Sequence, residues 1–584
     1  MRFVRWSSWR VRNHQLFRAP LLLVLLLTAC APSTSSAPSP GAAPGGQPAP
    51  GRNQAARQIT VAIGAEVNNL APKLEPGNTF ASEFNFMTDS PLTVEDAQGK
   101  ASPLLAAEMP SQDNGSWKVN PDGTMLTTWK IRPNAVWHDG QPILGSDFAF
   151  AFKVYMDPNV PVADRLPEQF MDRVEAVDDR TFNIYWKTAY PWANRLIIRE
   201  LPPLPEHVVG PIYAQGDAQA FVGNAFWTSN QYVGSGPYRL VQWDPASQLI
   251  FQAFDQYFMG RPKTDRVVFR IIGDTNTVLA NVLGGNVDVT VGITLSQEGG
   301  ATARRQWADG HVSVTPVRFR YTQIQFNPDK QGTPALQDVR VRQALVTALD
   351  RDAIAEVATA GTSKTANVPI VPQDPLFPRV DQAISKYLYD PTRALQLLQD
   401  AGWARGPSGA LQNAAGQTLP IDIWTTAGSD NESEQHLMAA GLSQIGVQAS
   451  ETLIAQSRIR DAEYRVSFPA LNTTAQSIDV PAILRIWTSL QCPTAASRFG
   501  GSNRGCWSDP EFDRWFNIAN TSLDPAQRDT GVINALKELT DQVGAFGLSY
   551  NSENIAVRNG LVGPGPRWPG QIGTTWNVYQ WEWQ

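Results

Sequence analysis

DVRVRQALVTALDR, Asp338 to Arg351, is the stretch from which the fold class can be read. Asp338 stands where a side-chain oxygen can cap a first turn, and Val341, Ala344, Leu345, Ala348 and Leu349 recur at i, i+3, i+4, i+7 and i+8. That pattern predicts an amphipathic helix. Asp390 and Pro391 open a second one, with Ala394, Leu397, Leu398 and Ala401 on its apolar face and Gly402 as its stop. Asp509 and Pro510 open a third, carrying Phe512, Trp515, Phe516 and Ala519. Upstream the period falls to two. Ile59, Val61 and Ile63 alternate as in a half-buried strand, and Trp129 to Arg132 and Phe182 to Trp186 repeat the signature. Asp178 and Asp179 fall between Val174–Val177 and Phe182–Trp186, which places them in a hairpin turn rather than in an acid–base pair. Interleaved strands and helices predict an α/β body.

The N-terminal end is of another kind. Arg2, Arg5, Arg10, Arg12 and Arg18 precede an apolar run from Leu21 to Leu27, closed by Thr28, Ala29 and Cys30, which reads as an export signal over residues 1–29. The run is shorter than the ~20 apolar residues a membrane span requires. Leu27 to Cys30 resembles the lipobox of bacterial lipoproteins, which would make Cys30 a lipid anchor; the alternative is an ordinary cleavable signal with an incidental cysteine. From Ala31 to Pro50, 18 of 20 residues are Ala, Gly, Pro or Ser. Such a segment cannot repay its ordering entropy, so residues 30–57 are expected to be a disordered tether reaching up to roughly 80 Å at ~3 Å per residue.

Signal removal takes five of the 48 basic residues and none of the 54 acidic ones, leaving 43 − 54 = −11. With no basic run to offset that charge, a nucleic-acid partner is not expected. The remaining ~530 residues exceed a single hydrophobic core. Once Cys30 is set aside, Cys492 and Cys506 are close enough in sequence to close one disulfide in an oxidising compartment, the alternative being two reduced thiols. No metal site is expected, since the histidines (His14, His138, His207, His311 and His436) are scattered. The sequence carries no G-x-S-x-G, S-x-x-K, H-E-x-x-H, Walker-type or G-x-G-x-x-G motif, which argues against an enzyme and against a cofactor.

Five stretches, in order, resemble the family 5 extracellular solute-binding proteins, receptors of oligopeptide, dipeptide and nickel ABC importers. They are Trp129–Pro133 with Trp137–Pro142 and Asp147–Phe148; Gly234–Tyr238; Asn327 with Asp338–Ala344 and Asp350–Arg351; Tyr389–Trp403; and Ser508–Asp513. Each also has a plain structural reading: His138–Gly140 and Gly234–Pro237 as turns, and the arginines beside Asp338 and Asp350 as helix-end charges. The resemblance implies a periplasmic-binding-protein-like fold of type II. Lobe I would comprise residues 58–90, 232–321 and 550–584, lobe II residues 91–231 and lobe III residues 322–549. A ligand cleft would lie between lobes I and III and close by a hinge.

The same resemblance implies an exported monomer, held at the outer face of the membrane or in the periplasm only by its lipid, that hands a small-molecule ligand to an ABC permease. Peptide-binding members hold the α-amino group with a third-lobe aspartate. Here the corresponding residues, Phe468 to Ala475, contain no acid before Asp479. A free peptide N-terminus is thereby disfavoured, which brings oligosaccharide up beside oligopeptide as the expected ligand. Candidate ligand contacts are Asn78, Thr79, Asn472, Thr473 and Thr474, with Trp424, Trp487 and Trp507 as flat aromatic faces. A tethered hydrolase of peptides or glycans, or a non-transport sensor on the same scaffold, are the competing functions.

Overall fold

The computed structural model describes residues 57–584 apart from 75–79, 97, 163–164, 331, 460, 479–481 and 569–572. The expected signal, anchor and tether up to residue 56, together with Asn78, Thr79 and Asp479, lie outside the described residues. The main sheet is built from β1 (Gln58–Ile63), β2 (Tyr238–Asp244), β3 (Gln248–Ala253), β4 (Arg266–Ile271), β5 (Val289–Thr290), β6 (Gly310–Ile324), β7 (Pro420–Thr426), β8 (Gln448–Ile454), β9 (Leu471–Ser477) and β10 (Ala545–Arg558). Its spatial order is β8-β7-β9-β6-β10-β5-β1-β4-β3-β2. A second, antiparallel sheet orders Trp117–Val119, Met125–Lys130, Thr181–Trp186 and Met171–Asp178. With helices between the strands, the chain is the α/β body its patterning predicts.

Local signals explain much of this. Asp338, Asp390 and Asp509 each accept a backbone N–H of the turn they open, from Arg340, Arg393 and both Glu511 and Phe512. The first helix, Val339–Thr347, stops short of Leu349, and Asp350 caps a separate helix at Arg351–Ala358. β1 differs from expectation. It pairs in parallel with β4 and β5, and not only Ile59, Val61 and Ile63 but also Ala62 is fully buried. The alternation is real, yet Ala62 faces a second apolar layer of Val278, Val282 and Trp307, so the strand is covered on both sides.

The family-like motifs turn out to fasten onto each other. His138 accepts the Gly234 N–H at Nδ1 (3.2 Å) and meets the Gly236 carbonyl through Nε2 (3.0 Å), while its own N–H reaches the Gly234 carbonyl. Burial pushes this imidazole down to about 4, so it is neutral and Nε2–H donates. Gly140 sits at φ +87, the angle its turn demands. At Gly234 and Gly236 the constraint is proximity instead: an added Cβ would lie 2.0 Å from the Thr88 carbonyl oxygen and 2.4 Å from the Asp89 nitrogen.

The arginines read as helix-end charges divide. Arg340 does pair with Asp338 at the surface. Arg342 and Arg351 are buried and tie segments together, Arg342 donating to the carbonyls of Leu336, Gln337 and Gln542, and Arg351 to those of Gly547 and Tyr387.

The apolar interior is not continuous. Two clusters draw only on residues between 319 and 550, whereas two others draw on 59–307 and 555–581. Among the main-sheet strands, β6 and β10 carry the ladder from one region to the other. They pair along most of their length, from Gly310↔Arg558 to Gln323↔Ala545.

Candidate functional site

The far half of β6 organises the region where ligand contacts were expected. Because strand side chains alternate, Arg320 and Thr322 point one way and Tyr321 and Gln323 the other, with Gln325 continuing the second face just past the strand. On the first face Arg320 grips Glu434 through Nε (3.0 Å) and Nη2 (2.8 Å), reaches Thr425 Oγ1 (3.1 Å), and is buried with its partner. Thr322 shares a hydrogen bond with Thr473 at 3.1 Å.

On the second face each glutamine holds a loop. Gln323 Nε2 donates to the Ser502 carbonyl (3.2 Å) and its Oε1 accepts the Gly505 N–H (3.3 Å). Gln325 Nε2 donates to the carbonyls of Val466 (3.3 Å) and Phe468 (2.8 Å). Loop 502–505 is fixed in three further ways. Buried Asn503 donates to the carbonyls of Thr488 (3.1 Å) and Trp507 (2.6 Å) and accepts the Trp507 N–H. A disulfide joins Cys492 to Cys506, with Cα atoms 4.7 Å apart. Gly505 lies so close to β6 that a Cβ there would sit 1.9 Å from the Ile324 carbonyl oxygen.

These contacts bring most of the expected residues into one neighbourhood. Asn472 pairs with Trp424 across the parallel β7–β9 ladder and donates weakly to its carbonyl at 3.4 Å. Thr473 and Thr474 lie opposite Thr322 and Tyr321 on β6. Trp487 stands edge-on to Tyr321, centroids 5.3 Å apart. The tryptophans are less available than the sequence suggests: Trp424, Trp487 and Trp507 are only 8%, 2% and 4% exposed. Trp507 packs on Phe512 and covers Gly544, which is a core role. Two buried polar atoms here, Asn472 Oδ1 and Trp487 Nε1, have no hydrogen-bond partner among the described residues.

Sequence reasoning did not single out Tyr321, Gln323 and Gln325, nor Arg465 and Arg504, which the two held loops carry. A visible signal was the run Asn503, Arg504, Gly505, Cys506, which flanks one base with residues that fix backbone. Among the described residues no group of three or more His, Cys, Asp or Glu could hold a metal ion, and no helix is long and apolar enough to cross a membrane.

A mixed α/β chain with two separate sets of cores, linked through a pair of long antiparallel strands, fits the type II periplasmic-binding class. Residues 109–491 match the bacterial extracellular solute-binding proteins, family 5 middle region, and the chain belongs to that family. It is 24% identical over 342 residues to the oligopeptide-binding protein AppA of Bacillus subtilis, a stretch covering 58% of this chain and 60% of AppA. It is 25% identical over 431 residues to heme-binding protein A of Haemophilus influenzae, covering 69% and 72%. The oligopeptide-binding protein of Thermus thermophilus, crystallised with a pentapeptide, superposes with a TM-score of 0.74 at 25% identity, over 90% of this chain and 96% of that one. The chain thus has the fold of solute-binding proteins and their solute-binding role.

Proposed function

We propose that the protein is the receptor of an ABC importer, lipid-anchored through Cys30 outside the cell, and that it takes up an oligopeptide or another small oligomer by hinge closure. The observation that carries this reading is the separation of the cores on either side of β6 and β10. Two bodies joined by a pair of strands can approach each other, and a guest touching both favours the closed state because only that state makes both sets of contacts. The lobes would run as 58–90, 232–321 and 550–584 for the first, 91–231 for the second and 322–549 for the third. The boundaries at 321/322 and 549/550 fall inside β6 and β10. The oligopeptide receptors among the relatives support a peptide guest, and the neutral Asn472 supports keeping an oligosaccharide beside it. A tether over 30–57 would let a monomer bind freely and still meet its permease.

The test combines solution scattering with mass spectrometry of the full chain. A receptor contracts on binding one solute per chain and releases it unchanged. Steady appearance of cleaved products would favour a tethered hydrolase instead.

A further inference from the structure

Residues 91–231 and 322–549 meet at a seam built by side chains that lie on neither β6 nor β10. Residues 91–231 share an interior with the first region of the chain: Trp129, Phe148 and Phe182 lie in the same apolar cluster as Val61 and Phe269. Leu523 reaches that cluster from the other side, out of the turn between the helices Pro510–Thr521 and Pro525–Asp541. Trp192, packed at the edge of the same cluster, meets the start of the second helix with its ring. The Arg528 guanidinium sits over that ring, 5.2 Å from its centre, and the Arg195 guanidinium lies at 5.2 Å as well. The two arginines belong to different bodies. Arg195 pairs with Glu95 (2.9 Å), whereas Arg528 donates to the carbonyls of Ser522 (3.3 Å) and Leu523 (3.1 Å). Arg528 therefore both holds the Leu523 turn and caps Trp192.

The seam is not packed like an interior. Beside Trp192 is a crevice of about 290 Å³ whose remaining walls, Asp374, Leu376, Arg379 and Asp529 among them, all come from 322–549. Protein interiors leave few voids larger than a water molecule, and charges sealed permanently around one would be costly. Contacts between separate bodies of one chain are commonly more polar than a core. The connectivity agrees. Because 91–231 shares its core with strands of the first lobe, it travels with that lobe when 322–549 turns about β6 and β10. A contact made in only one of two states favours that state by its own strength.

We propose that Trp192 and the Leu523–Arg528 turn form an interlobe latch, made when the cleft closes and parted when it opens. The latch rests on the receptor reading and adds to it a second source of closed-state stability, one that no guest supplies. A guest then needs fewer contacts of its own to hold the lobes together, and its release is slowed by the strength of the ring–guanidinium contact.

The full chain is studied by solution scattering, and native mass spectrometry follows the release of peptides retained from a tryptic digest of casein. In W192C/R528C, linking the two new thiols with a short bis-maleimide should contract the solute-free chain relative to the same variant left unlinked. Retained peptides should leave W192A and R528Q about 3- to 30-fold faster than they leave the parent, and W192F, which keeps a ring face, within about twofold of the parent. An unchanged or larger radius on linking would overturn the inference, because the contact would then be static or belong to the open state. Release from W192A and R528Q at the parent's rate would overturn it too, and a lower Tm with radius and release unchanged marks an ordinary structural contact. If the parent retains no peptide, the linked variant decides alone. Failure of the parent to contract with any solute defeats the receptor reading, whereas a parent that contracts and a linked variant that does not defeat the latch alone.

Discussion

Glu434 takes both Nε and Nη2 of Arg320, and the two side chains are only 2% and 6% exposed. A helix is thereby bolted to the centre of the main sheet by a charge pair sealed from water. Glu434→Gln leaves the guanidinium buried against a neutral amide, which should cost about 3–5 kcal/mol. The double replacement R320L/E434L should cost less than the single one, since it strands no charge. Urea unfolding of both variants checks the order; a single variant as stable as the parent would show that the pair contributes nothing.

Gly505→Ala should destabilise by at least about 1–3 kcal/mol and displace the loop that carries Arg504, because the new methyl would meet the Ile324 carbonyl at 1.9 Å. Gly565, with nothing within 4 Å of an added Cβ, supplies the control, and Gly565→Ala should melt with the parent. Similar melting of the two variants would count against the close approach.

Opening the Cys492–Cys506 loop, whose ends are 14 residues apart, should cost about 3 kcal/mol by the loop-entropy argument. Denaturant midpoints of oxidised parent and the double Cys→Ser variant measure it. Equal midpoints would mean that Gln323 and Asn503 hold the loop without the disulfide.

Asp89 gives a pH dependence. Burial raises its carboxyl to about 7 from an ordinary 3.8, against the hydrogen bonds from Thr88 and Tyr232; the other titratable group facing it is Tyr155. The folded state therefore holds this proton more tightly than the unfolded chain. The stability it contributes is full below about 4 and is lost as pH rises through about 7, at ~1.4 kcal/mol per pH unit and a few kcal/mol at most. The parent should lose more Tm than Asp89→Asn between pH 5 and 8, and parallel profiles would refute this assignment.

The sequence showed what is local. Asp338, Asp390 and Asp509 cap helices because capping involves only the next two or three residues, and the hairpin at Asp178 follows from alternation on either side. What depends on distant chain was hidden. Ala62 is buried because of a layer supplied by residues 278–307. Loops 502–505 and 466–468 lie where they do because Gln323 and Gln325 hold them from 179 and 143 residues away, a relation no spacing encodes. Trp424, Trp487 and Trp507 have flat faces that suit a ligand, but a ring also fills a core, and all three are buried in the interior.

The pairing of β6 with β10 is irregular at two places. Val317 is an extra residue on β6, between Pro316 and Arg318, and Leu548 an extra one on β10, opposite the step from Arg320 to Tyr321. Each offset cancels the other, and neither freed carbonyl is wasted: Ile478 takes that of Val317, and Ala366 that of Leu548. Bulges concentrate bend and twist. Both irregularities thus fall within the few residues from Val317 to Tyr321, with the ladder intact on both sides. If the lobes close as proposed, the bend would fall beside Tyr321, so that a guest held there would feel it directly.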